Sequence, residues 1–385
     1  MKNRWTGRVA FLALVGGLVS GCASGTSKEQ ANDAAVTPPP GSDASVALPG
    51  GDATTTPPPA SDGALLPQPP PLPDAGTPPP PPPGKDSGPP SPPQLDAGTV
   101  TPPALTGNKV AAIQYASGQA AQVKATCTAD AIPDVCALKE LISQAVAKKA
   151  SYVVLPEYGI DQPLYEQTPA IGDVPATDSN YPSDWVLTAF SKLALQSNIY
   201  LVFNMITHTP SSASCTVDGD CSGNGYCMNS GSCTYLYNTN IALDNTGKVV
   251  GLHRKFNLFG GETSLLTAGS GVTQGVFQTP LGKMGMLICD DIYGSTSLNS
   301  QLASLVDVVL VSSYCTTSNP VGTYYKSYLG KWPYYSVIAN TTDAPGYGGG
   351  VFRGNPWAPV STSDTPNPQV AAKPSFVVAP IPPSP

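Results

Sequence analysis

From residue 108 onward, short apolar runs alternate with segments whose apolar positions recur at helical spacing. Lys109-Val110-Ala111-Ala112-Ile113-Gln114 has the length and continuity of a buried strand, and residues 136–147 carry the periodicity of a helix that covers it. Ser151-Tyr152-Val153-Val154-Leu155-Pro156-Glu157 predicts a second strand. Pro156 must end it, because proline has no N–H for a ladder, and Glu157 is left at the rim. A helix is expected over 185–196 and strands over 199–206 and 235–243. Asp244-Asn245-Thr246-Gly247 is a turn signal, and the alternation after it makes 248–253 the partner strand of a hairpin that hands over Arg254-Lys255-Phe256-Asn257-Leu258-Phe259-Gly260-Gly261-Glu262. Strands over 275–279 and 284–288, joined by Pro280-Leu281-Gly282-Lys283, then lead to Cys289. Strands over 306–313 and 336–340 follow around a helical stretch at 324–329. Strands alternate with helices early and with hairpins later, which predicts an α/β fold in which a pair of mixed sheets is covered by helices.

The first hundred residues have no such pattern. Half of the chain's 44 prolines are crowded there, among Ala, Gly, Asp, Thr and Ser in loose repeats such as Thr-Pro-Pro-Pro. A stretch with almost nothing to bury cannot offset the entropy of ordering, so 22–104 is expected to be an extended, disordered tether. Roughly 280 of the 385 residues remain, 105–385, enough for one large domain. The net charge of -7 comes without clustered Lys or Arg, which excludes a nucleic-acid partner.

Lys2, Arg4 and Arg8 precede an apolar run over 9–19 that is too short to span a bilayer, the pattern of an export signal over 1–21. Its end, Leu18-Val19-Ser20-Gly21-Cys22, resembles the lipobox of bacterial lipoproteins, in which small residues precede a cysteine that is lipidated on its sulfur. The resemblance implies lipidation of Cys22 and a membrane anchor in the cell envelope. Ala23 in the following position favours the outer membrane. Several acyl chains would make such an anchor durable.

Export changes the reading of the nine cysteines, since disulfides persist outside the cytoplasm. Cys215, Cys221, Cys227 and Cys233 fall six residues apart in a Gly-, Ser- and Asp-rich stretch, 215–233, which reads as an insert stapled by two disulfides of open connectivity. The spacing has no Cys-x-x-Cys knuckle, so no metal is expected. Cys127 and Cys136 bracket a short loop and can pair. Cys289 and Cys315 remain, and Cys289 sits where a buried strand runs into two acids, Asp290 and Asp291.

Three predicted strand ends thus carry a carboxylate, an ammonium and a thiol: Glu157, Lys255 and Cys289. A reaction can be written for that set. The thiolate attacks a carbonyl carbon, and Glu157 takes the thiol proton and returns it to a leaving amine. Lys255 stabilises the oxyanion together with the backbone N–H after Cys289, and its charge holds the thiol pKa down. Asp290 and Asp291 are expected to push that pKa up unless they point away. A serine hydrolase is excluded, because Gly-x-Ser-x-Gly is missing and only His208 and His253 could serve as base. His253 reads as structural.

These residues resemble the nitrilase superfamily of carbon-nitrogen hydrolases, whose members use a Glu-Lys-Cys set in this order, and in particular its vanin and biotinidase branch. Leu155-Pro156-Glu157 matches the family's Pro-Glu strand end, Arg254-Lys255-Phe256-Asn257-Leu258-Phe259 its lysine segment, and Cys289-Asp290-Asp291-Ile292 its nucleophile segment. Glu262 falls on the second, supporting glutamate, and Tyr235-Leu236-Tyr237-Asn238-Thr239 after the cysteine-bearing insert is similar to vanin. The resemblance implies an α-β-β-α sandwich and hydrolysis of a linear, small-molecule amide with no cofactor. Oligomeric state is left open. The vanin-like branch continues into a further C-terminal domain, for which few residues remain after Cys289. Asp290 replaces an aromatic residue and Cys315 stands in place of a tryptophan at the pocket rim, so Asp290, Tyr314 and Cys315 are expected to line the substrate pocket. If Cys315 lies near Cys289, oxidation could join them. The rival readings are another amidase or an N-acyltransferase of the same superfamily, in which an amine replaces water, and a lipoprotein that binds an amide ligand without turnover.

Overall fold

In the computed structural model, which describes residues 105, 107–160, 166–228, 230–271, 273–293, 296–316, 320–343, 348–360 and 373–382, the first strand already shows how the layers form. Successive side chains of β1 (Lys109–Gln114) point to opposite faces: Val110 and Ala112 join one apolar cluster, Ala111 and Ile113 another. β2 (Ala150–Val154) repeats the division, with Tyr152 and Val154 on the first side and Val153 on the second. Helices α2 (Pro133–Ala147) and α3 (Val186–Ser197) cover the outer side, supplying Leu138, Leu141, Leu187 and Phe190. The short helix α1 (Ala120–Val123) precedes them. The expected signal segment, tether and Cys22 lie outside the described residues.

The inner cluster is shared with a second sheet. The first sheet has the order β14-β1-β2-β4-β6-β5, with β3 paired to β4 and β7 to β6; the second has the order β13-β12-β11-β10-β9-β8. Their remaining strands are β3 (Glu166–Gln167), β4 (Tyr200–Ser214), β5 (Tyr226–Cys227), β6 (Ser232–Leu243) and β7 (Val249–Arg254). The later ones are β8 (Val276–Thr279), β9 (Gly282–Ile288), β10 (Val308–Ser313), β11 (Tyr335–Asn340), β12 (Gly350–Arg353), β13 (Ala358–Pro359) and β14 (Ser375–Pro380). Met284 and Met286 of β9 and Val308 and Leu310 of β10 meet Val110, Val154 and Val202 between the sheets. On the far side, Leu298 and Leu302 pack on Leu287 and Val309, brought there by α5 (Thr296–Ala303). Gly285 lets that helix close in, since a Cβ there would stand 2.7 Å from Leu302 Cδ2. The result is the α-β-β-α sandwich of the nitrilase type.

Within each sheet the central strands are parallel: β1, β2 and β4 in one, β9, β10 and β11 in the other. Parallel strands deliver their carboxyl ends to one rim, where α/β proteins place their sites. Antiparallel hairpins β4–β6–β7 and β8–β9 complete the pattern.

The elements differ from expectation at their ends. The first long helix begins at Pro133, because proline suits the first helical turn. β4 runs on to Ser214 instead of stopping near 206, since β6 pairs with it as far as the insert. Gly282 and Lys283 belong to β9, which makes the hairpin tighter than the four-residue turn expected. A wide π turn, Val321–Tyr325, precedes α6 (Lys326–Leu329). Cysteines pair as Cys127–Cys136, Cys215–Cys227 and Cys221–Cys233. Sulfurs of Cys215, Cys221 and Cys233 gather within 4.8 Å, but as disulfides they offer no thiolate to a metal.

Candidate active site

Three strand ends meet at the rim. β2 stops before Leu155 and Pro156, and Glu157 follows. The next residue, Tyr158, adopts φ +52° and donates its N–H to Asn204 Oδ1 at 3.1 Å, which turns the chain back and leaves Glu157 pointing inward, 1% exposed. β7 hands over Lys255, whose N–H donates to the Asn238 carbonyl at 2.8 Å. β9 hands over Cys289 at φ +39°, opening a single 3-10 turn, Cys289–Ile292. The left-handed region costs a non-glycine residue about 1–2 kcal/mol, so it persists only where neighbours impose it.

Asp291 imposes it. Its buried carboxylate accepts the N–H groups of Ile288 at 3.1 Å, Phe256 at 2.9 Å and Asn257 at 2.8 Å, and bonds His253 Nε2 at 2.7 Å. One side chain therefore ties the Cys289 turn to the segment that carries Lys255, and His253 is part of that tie.

Lys255 is 3% exposed and bridges two carboxylates, with Nζ 2.7 Å from Glu157 Oε1 and 2.8 Å from Glu262 Oε2. An ammonium this deep is tolerable only when paired and hydrogen-bonded. Glu262 opens the short helix α4 (Glu262–Leu265) and takes four donors: Lys255 Nζ, Phe259 N–H at 2.9 Å, Asn238 Nδ2 at 2.9 Å and the Tyr158 hydroxyl. Glu157 takes three: Lys255 Nζ, Asn238 Nδ2 at 2.8 Å and Tyr314 N–H at 2.9 Å.

Behind these groups lies a ladder of buried asparagines. Asn204 Nδ2 donates to Asn238 Oδ1 at 2.7 Å and Asn240 Oδ1 at 3.0 Å, and Asn240 Nδ2 donates to the Leu287 carbonyl at 3.2 Å, two residues before Cys289. The ladder joins β4 and β6 of one sheet to β9 of the other. Ser312 Oγ, donating to the Leu155 carbonyl at 2.8 Å, fixes the sheets beside Glu157.

These contacts separate the two glutamates. Burial alone would raise both. At Glu262 the Lys255 charge, with the Lys255, Tyr158 and Phe259 hydrogen bonds, outweighs burial and holds the carboxyl below its usual range. At Glu157 burial prevails over Lys255, and the pKa is raised. Burial works against the charge of Lys255, but Glu157, Glu262 and Cys289 push its pKa well up. Burial, then Glu157, raises the Cys289 thiol well above normal, with Lys255 and the Tyr314 N–H opposing. The surroundings thus favour the charged forms of Glu262 and Lys255 and the neutral forms of Glu157 and Cys289.

The two acids after Cys289 meet the exception stated for them: the carboxylates that raise the thiol are Glu157 and Glu262, while Asp291 is spent on its four partners. Asp290 is half-buried and close enough to Lys255 to feel its charge; burial pushes its pKa up to about 6. Tyr314 lies between Glu157 and an outer wall, its hydroxyl donating to Asp343 Oδ2 at 2.7 Å and its ring edge-on to Tyr158 at 6.2 Å. Cys315 is not a rim residue. It is fully buried in the cluster that holds Ile292, Val321 and Tyr325, because Asn340 draws its backbone inward: Cys315 N–H donates to Asn340 Oδ1 at 2.8 Å and Asn340 Nδ2 donates to the Cys315 carbonyl at 3.2 Å. Nor is it joined to Cys289, which is a free thiol. An aromatic group of Tyr293, Tyr324 and Tyr328, with edge contacts of 5.5 and 5.1 Å, stands beside the Cys289–Ile292 turn.

A family model described as carbon-nitrogen hydrolase matches residues 109–322, more than half of the chain and all three strand ends. The chain belongs to the carbon-nitrogen hydrolase family. Among known proteins, this carbon-nitrogen hydrolase is 26% identical over 168 residues to symplectin of Sthenoteuthis oualaniensis, covering 40% of this chain and 31% of that protein. It is 29% identical over 168 residues to biotinidase of Rattus norvegicus and 30% over 169 to pantetheinase of Mus musculus, covering in each case 40% of this chain and 30% of the other. The matched stretch thus spans under a third of these relatives. Among solved structures, an amidase from Nesterenkonia sp. superposes with a TM-score of 0.48 at 15% identity, over 71% of this chain and 90% of that one.

The Asn204–Asn238–Asn240 ladder and the role of Asp291 escaped the sequence reading. A signal was present: Asn238 and Asn240 share one face of β6, and Asn204 interrupts an otherwise apolar strand, so three polar side chains fall where a core was expected.

Proposed function

We propose that this carbon-nitrogen hydrolase cleaves a linear, small-molecule amide through a thioester on Cys289, in the manner of a pantetheinase or biotinidase. The observation that carries the reading is the buried bridge from Glu157 through Lys255 to Glu262 beside a free thiol held at positive φ. Glu157, the carboxylate with the raised pKa, takes the Sγ–H proton as Sγ attacks the carbonyl carbon. Lys255, fixed by Glu262, faces the oxyanion with the Asp290 backbone N–H. The C–N bond breaks, the proton passes from Glu157 to the departing amine, and the acyl group stays on sulfur. Water then gives a proton to Glu157 and its oxygen to the acyl carbon, and the thiol is restored as the acid leaves. An amine in place of water would make the same site an N-acyltransferase.

The test is turnover of pantetheine, biotinyl-lysine and simple aliphatic amides by the full chain and by Cys289→Ala. Release of amine by the wild type alone is expected. No release on any of them, with the Cys289 thiol intact by mass, would overturn the reading.

The same proposal holds the enzyme on a membrane of the cell envelope through lipid on Cys22. Leu18-Val19-Ser20-Gly21-Cys22 after a short basic and apolar segment supports it. Cys22→Ala should move the protein from the membrane to the soluble fraction, and an unchanged distribution would sink the anchor.

A further inference from the structure

Residues 215–233 stand apart from the reacting groups, yet they reach the part of the site least able to hold itself. α4 has four residues, far below the length at which a helix is stable alone, and its final carbonyls have no partners within it. The insert supplies them. Asn224 Nδ2 donates to the carbonyls of Thr263 at 2.8 Å and Leu266 at 2.7 Å, and the Tyr226 hydroxyl donates to the Leu265 carbonyl at 2.9 Å. Three consecutive-turn carbonyls behind Glu262 are therefore capped from outside the helix.

The donors are themselves fixed. Cys221–Cys233 and Cys215–Cys227 each close a separation of 12 residues, and Asn224 and Tyr226 lie between Cys221 and Cys227. Closing loops of this size removes roughly 3 kcal/mol of unfolded-chain entropy apiece. Gly225, between the two donors, brings the tip flat onto the sheet: a Cβ there would stand 2.8 Å from Cys221 Cβ and 2.9 Å from the Tyr235 ring. Ser222 Oγ and the Tyr235 hydroxyl, 2.9 Å apart, seal the same contact.

We propose that the disulfide-bonded insert is a brace for Glu262, with Asn224 and Tyr226 as positioning residues that set where its carboxylate meets Lys255 and Asn238. The proposal rests on the reading of Cys289 as nucleophile and Glu262 as the carboxylate that aims Lys255. It has an unusual signature. Glu262 raises the Cys289 pKa and Lys255 lowers it. Letting Glu262 drift leaves more of the lysine charge uncompensated, so the thiol ionises more easily even as the misaimed lysine slows turnover.

The experiment compares the full chain with Asn224→Ala/Tyr226→Phe, measuring amide turnover, thermal midpoint, and the pH dependence of Cys289 alkylation by iodoacetamide, with Cys289→Ala as the blank. Expected are a kcat lower by about tenfold with KM within about twofold, an alkylation midpoint moved to lower pH, and a thermal midpoint changed by no more than about 3 °C. A second variant, Cys221→Ser/Cys233→Ser, should move the alkylation midpoint in the same direction. An unchanged midpoint in the first variant overturns the brace, whether or not turnover falls with stability. If the wild type hydrolyses no amide, the reading of function fails on its own, and the alkylation midpoint still decides the brace: a downward shift supports it and no shift overturns it.

Discussion

The turns that end β2 and β9 solve the same problem differently. Each places a non-glycine residue in the left-handed region at the site, Tyr158 at φ +52° and Cys289 at φ +39°. In the first, the strained residue comes after the reacting one and is held by the neutral amide of Asn204. In the second, the strained residue is Cys289, the proposed nucleophile itself, in a turn held by the buried carboxylate of Asp291 through four contacts. The difference follows from what each turn must present. A carboxylate on a three-bond side chain tolerates a turn held at one point, whereas a short thiol is aimed almost wholly by its backbone.

The largest effect should therefore come from Asp291→Ala. Three backbone N–H groups and His253 would lose a fully buried acceptor, at a cost of about 3–5 kcal/mol in denaturant unfolding, with turnover down by about 100-fold. Asn204→Ala, the corresponding break in the other turn, should cost about 2–3 kcal/mol and about tenfold in turnover, because it frees Tyr158 and loosens Asn238 and Asn240 together. Equal losses in the two variants would erase the distinction between the turns.

Asp290 sharpens it from the opposite side, since it shares the turn with Asp291 but has a pKa raised to about 6 from 3.8. A raised carboxyl favours the folded state at pH below its unfolded pKa, and that contribution is lost as pH rises through about 6. Asp290→Asn, which cannot ionise, should thus match the wild type near pH 4 and exceed it by about 1–2 kcal/mol near pH 8, after allowance for its partial exposure. Unfolding curves at the two pH values check the sign. The smallest effect is conformational: Cys289→Gly should be more stable than Cys289→Ala by about 1 kcal/mol, because only glycine is at ease at that φ.

Much of this was legible in the residues. Local pattern carried the central strands, because buried parallel strands are continuous apolar runs, and Glu157, Lys255 and Cys289 stood out because each ends such a run or hairpin. The supporting groups did not. An asparagine on a strand reads as noise until its neighbours across the sheet are known, and Asp291 looked like a second charge beside the thiol because its four partners come from β7, the segment after it and β9. Cys315 was misplaced for a related reason: the backbone contacts of Asn340 that bury it arise 25 residues away. β12 and β14 were missed as well. β14 has its partner at the other end of the domain, and no local pattern can announce that.

That pairing bears on when the protein can fold. Among the described residues β1 is the first strand and β14 the last, yet they are antiparallel neighbours over six residue pairs, from Lys109 opposite Pro380 to Gln114 opposite Ser375. Ile381 N–H then donates to the Asn108 carbonyl at 2.9 Å. Until the far end of the chain has emerged, β1 presents an unpaired apolar edge, the kind of surface that invites other chains to add to it. A contact of such long range is also slow to find. The seam thus stays open while residues 115–374 are made, and β1 is covered only when β14 arrives.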